Sequence, residues 1–267
     1  MRLLGCNAGK HRAGAIVMKS KTIEAAADER RYLDRRTFLK VTSAGTALGV
    51  VGESLFGSLV YADTLGKEKR DKMTPDEILA KLKRGNKNFS KGLMTARNYR
   101  NEQKTTAKGQ FPAAVILSCI DSRAPAEVIM DLGIGDIFNA RVAGNIANED
   151  ILGSMEFACK LAGAKVVLVM GHTACGAIKG AIDKVELGNL TGLLAKIEPA
   201  VKATTFKGEQ SSKNAAFVDA VAQKNVELTI GDIRKKSAVL AELESKGAIK
   251  IAGSMYNLET AIVDFFV

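Results

Sequence analysis

Tryptophan is absent from the 267 residues, histidine occurs twice, and cysteine and proline four times each. Four cysteines in a chain of this length do not make a disulfide scaffold. Two histidines restrict the imidazoles available to any metal site. A long charge-free apolar run is also missing. The nearest approach, residues 41–60, is dotted with Gly, Ala, Ser and Thr and is interrupted by Glu53, which argues against a membrane-spanning helix. No arginine-rich tract interleaves with aromatics, so nucleic acid is excluded as a partner. Neither an internal repeat nor a low-complexity segment is found. What is present is a 46% hydrophobic composition, enough for a sizeable core in one large domain or two small ones. The net charge is +10, half of it in residues 1–62, and bears mainly on solubility and steering.

Two stretches organise the rest. Ser118-Cys119-Ile120-Asp121-Ser122-Arg123 follows the apolar run 113–117, and Gly171-His172-Thr173-Ala174-Cys175-Gly176 follows the run 165–170. Short runs rich in Val and Ile that end in small polar residues read as buried parallel strands. Each would deliver its reactive residues at a C-terminal end, where open α/β sheets build their sites. Cys119, His172 and Cys175 make a three-ligand set suited to Zn²⁺, with the fourth position open or filled by Asp121. The remaining candidates stand apart: Cys6 and His11 lie far upstream, and Cys159 sits within a helical pattern. A Cys119–Cys175 disulfide is the alternative, and it would leave His172 and Asp121 unexplained. Asp121 and Arg123 are two residues apart, so a guanidinium can hold the carboxylate ionised as a hydrogen-bond acceptor beside the metal. A plain loop salt bridge is the bland reading of that pair.

Cys-x-Asp-x-Arg followed by His-x-x-Cys-Gly resembles the β-class carbonic anhydrases. The resemblance extends to blocks at 82–89, 110–112, 131–138, 141–145 and 152–157, and covers the chain from about Thr74 onward. It implies one zinc per chain and the interconversion of CO2 and bicarbonate, with Asp121 and Arg123 as an orienting dyad. It also implies that Asp121 can swing onto the metal in a closed state. By the same resemblance Gln110 takes the substrate-amide position, Phe138, Ala143 and Phe157 line the CO2 pocket, and the Gly176 N–H helps hold bicarbonate. Ala143 and Phe157 depart from the larger aliphatic residue and the tyrosine common there. Lack of tryptophan leans against regulation by a second bicarbonate. A homodimer or higher homo-oligomer is implied, with N-terminal helices crossing onto the partner and residues 91–110 too polar to pack on their own core. The alternatives are a CS2 or COS hydrolase with the same kind of site, and a catalytically silent bicarbonate-binding module.

Asp34-Arg35-Arg36-Thr37-Phe38-Leu39-Lys40 resembles a twin-arginine export signal. Val60-Tyr61-Ala62 has small residues where signal peptidase favours them, which places cleavage before Asp63. An uncleaved anchor is the alternative. The expected organisation is thus a signal region, 1–62, and one domain, 63–267, exported to the periplasm without stable membrane anchoring. Met18 offers a second possible translation start.

The expected fold is α/β, a single domain with a mostly parallel central sheet flanked by helices, an N-terminal helical arm and a dimerising edge. Residues 63–72 are expected to be mobile, and Thr74-Pro75-Asp76-Glu77 to start a helix running to 88–89. Strands are expected at 113–117, 136–142, 166–170 and 248–252, with an edge strand in the tail. Helices are expected at 125–132, 148–162, 177–185, 192–201 and 214–246, the last relieved at Gly231. Residues 143–145 form a turn.

Overall fold

The computed structural model describes residues 61–266; the twin-arginine segment lies outside them. Five strands form one sheet: β1 (Ala114–Ser118), β2 (Ile137–Arg141), β3 (Val166–His172), β4 (Lys250–Tyr256) and β5 (Val263–Phe266), in the order β2-β1-β3-β4-β5. The first four are parallel, and β5 pairs antiparallel with β4 as an edge. All residues of β1 and β3 are buried, which is why they read as continuous apolar runs.

Alternate side chains feed two cores. Ala114, Ile116, Val166, Leu168 and Met170 face α2 (Pro75–Ser90) and α4 (Ala126–Ile129). Val115, Leu117, Val167 and Val169 face α5 (Glu149–Glu156), α9 (Ala215–Lys236) and α10 (Ala238–Ser245). The start of α2 is fixed by a capping box between Thr74 and Glu77, with Pro75 in the first turn. Gly85 lets α2 approach α4 closely, since a Cβ there would stand 1.8 Å from the Met130 carbonyl oxygen. Asn86 on α2 reaches the other edge, accepting from Val263 N at 2.9 Å and donating to Ala261 O at 3.0 Å.

Several elements differ from the sequence expectation. Residues 63–72 are docked: α1 (Lys67–Lys72) forms, Leu65 is buried, and its N–H donates to Asp136 Oδ1 at 3.1 Å. Buried Arg70 donates to the carbonyls of Ala162 at 2.6 Å and Pro112 at 3.3 Å. Residues 91–110 also contain a helix, α3 (Tyr99–Thr106); most of the segment is exposed, as its polarity implies, but a few side chains anchor it to its own domain. There Arg97 and Glu102 pair at 3.2 Å, both nearly fully buried, and Arg97 Nη2 donates to Asp131 O at 2.7 Å. These two buried charges are tolerated because they pair with each other.

The helix expected at 148–162 changes to a π-helix at Phe157–Leu161, which buries Ala158 and Cys159 while Phe157 and Leu161 stay exposed. The one expected at 192–201 is two helices, α7 (Gly188–Ala195) and α8 (Glu198–Ala203), with Pro199 in the first turn of the second. The long C-terminal helix breaks at Ser237, where the hydroxyl caps α10 by accepting from Leu240 N at 3.1 Å, and Gly231 lies inside α9. Residues 143–145 form one 3-10 turn, and β4 runs on to Tyr256 because it pairs with β3 along its whole length. Among the described residues no helix is long and apolar enough to cross a membrane.

Candidate metal centre

Adjacent strands β1 and β3 run in register, Ser118 beside Met170, so the residues that follow meet at one sheet edge. Cys119 leaves β1, His172 ends β3, and Cys175 caps α6 (Gly176–Ile182). The three side chains are buried and their ligating atoms lie within 4.8 Å of one another. The two sulfurs are 4.0 Å apart and not bonded as a disulfide. Tetrahedral zinc with Zn–S near 2.3 Å would place two thiolates about 3.8 Å apart. His172 Nδ1 lies 2.9 Å from the Thr173 carbonyl oxygen, to which it donates as the protonated nitrogen, and its buried Nε2 has no hydrogen-bond partner. An orphaned imidazole nitrogen facing two close thiols is the donor set of a zinc site, and the residues fit the metal.

The electrostatics agree. The contact between the two sulfurs, with help from His172 and the Gly144 N–H, pulls Cys119 down, while the same contact and burial push Cys175 up. Burial alone would lower His172, yet its contact with Cys119 raises it. Cys159, by contrast, is pushed up to about 12 by burial in the π-helix and takes no part.

Asp121 stands beside this cluster, its Oδ2 3.9 Å from His172 Nε2. Arg123 engages it from both its side chain and its backbone. Nη2 donates to Oδ2 at 2.8 Å, Nε to Oδ1 at 3.0 Å and the backbone N–H to Oδ1 at 2.9 Å. The Arg123 side chain holds the Asp121 carboxyl well below the usual carboxylate range. The carboxylate therefore faces the cluster but is committed to Arg123.

Three side chains that the sequence reading did not single out for the site hold its loops. Arg141 donates to the carbonyls of Cys119 at 2.9 Å and Asp121 at 2.6 Å. Asp219 on α9 accepts the Ala174 N–H at 2.9 Å, in a loop where Ala174 has a φ of +54°. Asn225, also on α9, donates to Gly144 O at 2.8 Å, and Gly144 N donates to Cys119 Sγ at 3.4 Å. Arg141 carries a signal in its position at the end of β2; Asp219 and Asn225 look like ordinary helix residues.

The expected pocket residues do not all gather here. Ala143 adjoins Gly144 over Cys119, and Gly176 opens α6 where an added Cβ would meet open space. Exposed Gln110 precedes β1, at the opposite end of the strand from Cys119; the strand alone spans roughly 16 Å. Phe138 and Phe157 meet edge to face, 6.1 Å between ring centroids. They line a separate cavity of about 570 Å³ with Val115, Ala140 and Gly153, to which no residue of the metal cluster contributes.

The family model for carbonic anhydrase matches residues 114–263. Carbonic anhydrase 2 of Mycobacterium tuberculosis is 32% identical over 180 residues, covering 67% of this chain and 86% of that protein. A carbonic anhydrase of Mycolicibacterium smegmatis is 29% identical over 185 residues, covering 68% and 89%. Among solved structures, the β-carbonic anhydrase CcaA superposes with a TM-score of 0.56 at 20% identity, over 72% of this chain and 98% of that one. A tetrameric β-carbonic anhydrase of Sordaria macrospora gives 0.54 at 23%, over 62% and 87%. At these identities the structures speak to the fold.

Proposed function

From the premise that this chain belongs to the carbonic anhydrase family and catalyses the reversible hydration of CO2 to bicarbonate and a proton, we propose how its own residues perform the reaction. Cys119, His172 and Cys175 would hold zinc, the metal of β-carbonic anhydrases. When bound, zinc supplies the Lewis acidity that makes water a competent nucleophile near neutral pH. Asp121 accepts a hydrogen bond from the attacking water and so directs its lone pair at CO2. Arg123 keeps that carboxylate ionised and off the metal. The observation that carries this reading is the position of Asp121, 3.9 Å from His172 Nε2 with both oxygens tied to Arg123. Assaying CO2 hydration on the purified, zinc-loaded protein beside Asp121→Asn tests it. Hydration in the wild type and its loss in the variant are expected; equal rates would overturn the role of Asp121.

The CO2 pocket is read as shared between two copies. Gln110, Phe138 and Phe157 lie away from the metal cluster of their own chain, and a second copy can bring its own to it. Exposed Phe157, Leu161 and Ile120, together with Leu93 and Tyr99 of the arm, supply apolar surface for such pairing, and among the described residues β2 leaves one sheet edge unpaired. The Sordaria macrospora relative is described as tetrameric. The Arg35-Arg36 pair and the Gly/Ala-rich run after it support export to the periplasm by the twin-arginine route, with cleavage before Asp63. That route carries folded proteins, so zinc loaded beforehand would shield Cys119 and Cys175 from oxidation.

A further inference from the structure

Gly144 is the pivot of the peptide that faces the metal cluster. Its φ is +69°, and a Cβ there would stand 2.5 Å from Ile197 Cδ1, so any other residue would be strained and would displace Ile197. Its N–H points at Cys119 Sγ, 3.4 Å away. Glycine is also the residue at which a peptide turns over most easily, so this aim needs an anchor. The following peptide supplies one: Gly144 O accepts from Asn225 Nδ2 at 2.8 Å. Asn225 is 3% exposed and sits midway along α9, which packs against β3 and the 143–145 turn. Rigid helix, amide clamp, glycine peptide and ligand sulfur thus form one continuous chain of contacts.

We propose that Asn225 is a positioning residue that sets the donor strength of the Cys119 thiolate through the Gly144 N–H. An N–H aimed at a ligand sulfur withdraws electron density from it, which leaves the bound metal a stronger Lewis acid. Two thiolates make a zinc site electron-rich, so a site with a Cys2His ligand set gains from such a donor. The proposal rests on the zinc reading given above.

Cobalt(II) substitution tests it, because the thiolate-to-cobalt absorption reports sulfur electron density directly. Asn225→Asp keeps the shape but presents carboxylate oxygens that cannot donate to Gly144 O at neutral pH. The expected result is a protein that folds and takes up cobalt, with the sulfur band moved to longer wavelength and CO2 hydration by the zinc form reduced about tenfold. A second measurement on the wild type guards against a variant that fails to fold: loading with cadmium-113 should shift the Gly144 amide proton and couple it to the metal. An Asn225→Asp cobalt spectrum identical to that of the wild type overturns the proposal, as does a wild-type Gly144 proton that cadmium leaves unmoved. A wild type that binds neither metal would sink the zinc reading first, and this proposal with it.

Discussion

At the scale of single residues, the two oxygens of Asp121 are in competition. On the proposed mechanism they would serve catalysis while bound to Arg123, and would block the metal's open position if they bound zinc instead. Arg123→Ala removes the partner, so the variant should keep its zinc, lose at least a hundredfold in CO2 hydration, and place Asp121 on the metal. Asp121→Asn should lose activity to a similar degree while leaving the fourth position to water. X-ray absorption at the zinc edge tells the two apart; near wild-type hydration in either would count against the dyad. The linkage with pH follows from the sign of the shift. Because Arg123 holds the Asp121 carboxyl below its ordinary range, the pair's contribution to stability is complete above the unfolded carboxylate value, near 4, and is lost as pH falls through the folded one. The stability gap between wild type and Asp121→Asn should therefore be flat from pH 5 to 8 and narrow below pH 4, as urea unfolding at each pH will show. Cys175→Ser should lose most of the zinc, about one per chain in the wild type.

At the scale of elements, α9 does more than cover the sheet. Its Asp219 satisfies the N–H of Ala174, a residue held at φ +54° between two ligands. Asp219→Ala should weaken zinc retention about tenfold in competition with a chromophoric chelator while lowering stability by only about 1 kcal/mol. The ligand-bearing strand ends were legible in the sequence because each pairs a buried apolar run with reactive residues close together. The supports were not: Asn225 lies 81 residues from Gly144, and a helical asparagine carries no local mark of its partner. The sequence offers Gly231 as the point of relief in the long C-terminal helix, but the break lies at Ser237, where a hydroxyl able to start the next helix outweighs the flexibility of glycine. Likewise the docking of residues 63–72 depends on single side chains, Leu65 and Arg70, within an otherwise polar segment. Arg70→Ala strands the Ala162 and Pro112 carbonyls and should cost about 2 kcal/mol in urea unfolding.

For the whole molecule, two expectations concern assembly and address. Light scattering should find a dimer or a multiple of it, and a fully active monomer would contradict the shared pocket. Replacing Arg35 and Arg36 with Lys should hold the precursor in the cytoplasm, and a mature N-terminus upstream of residue 41 would overturn the cleavage site. Cys119 and His172 extend from β1 and β3, neighbouring interior strands with every residue buried. Their amides belong to the part of a fold that opens last, so they should be the slowest in the chain to exchange with deuterium. The metal's residence time is then tied to the lifetime of the sheet: as chelator is raised, the rate of zinc loss should level off at the rate of global unfolding.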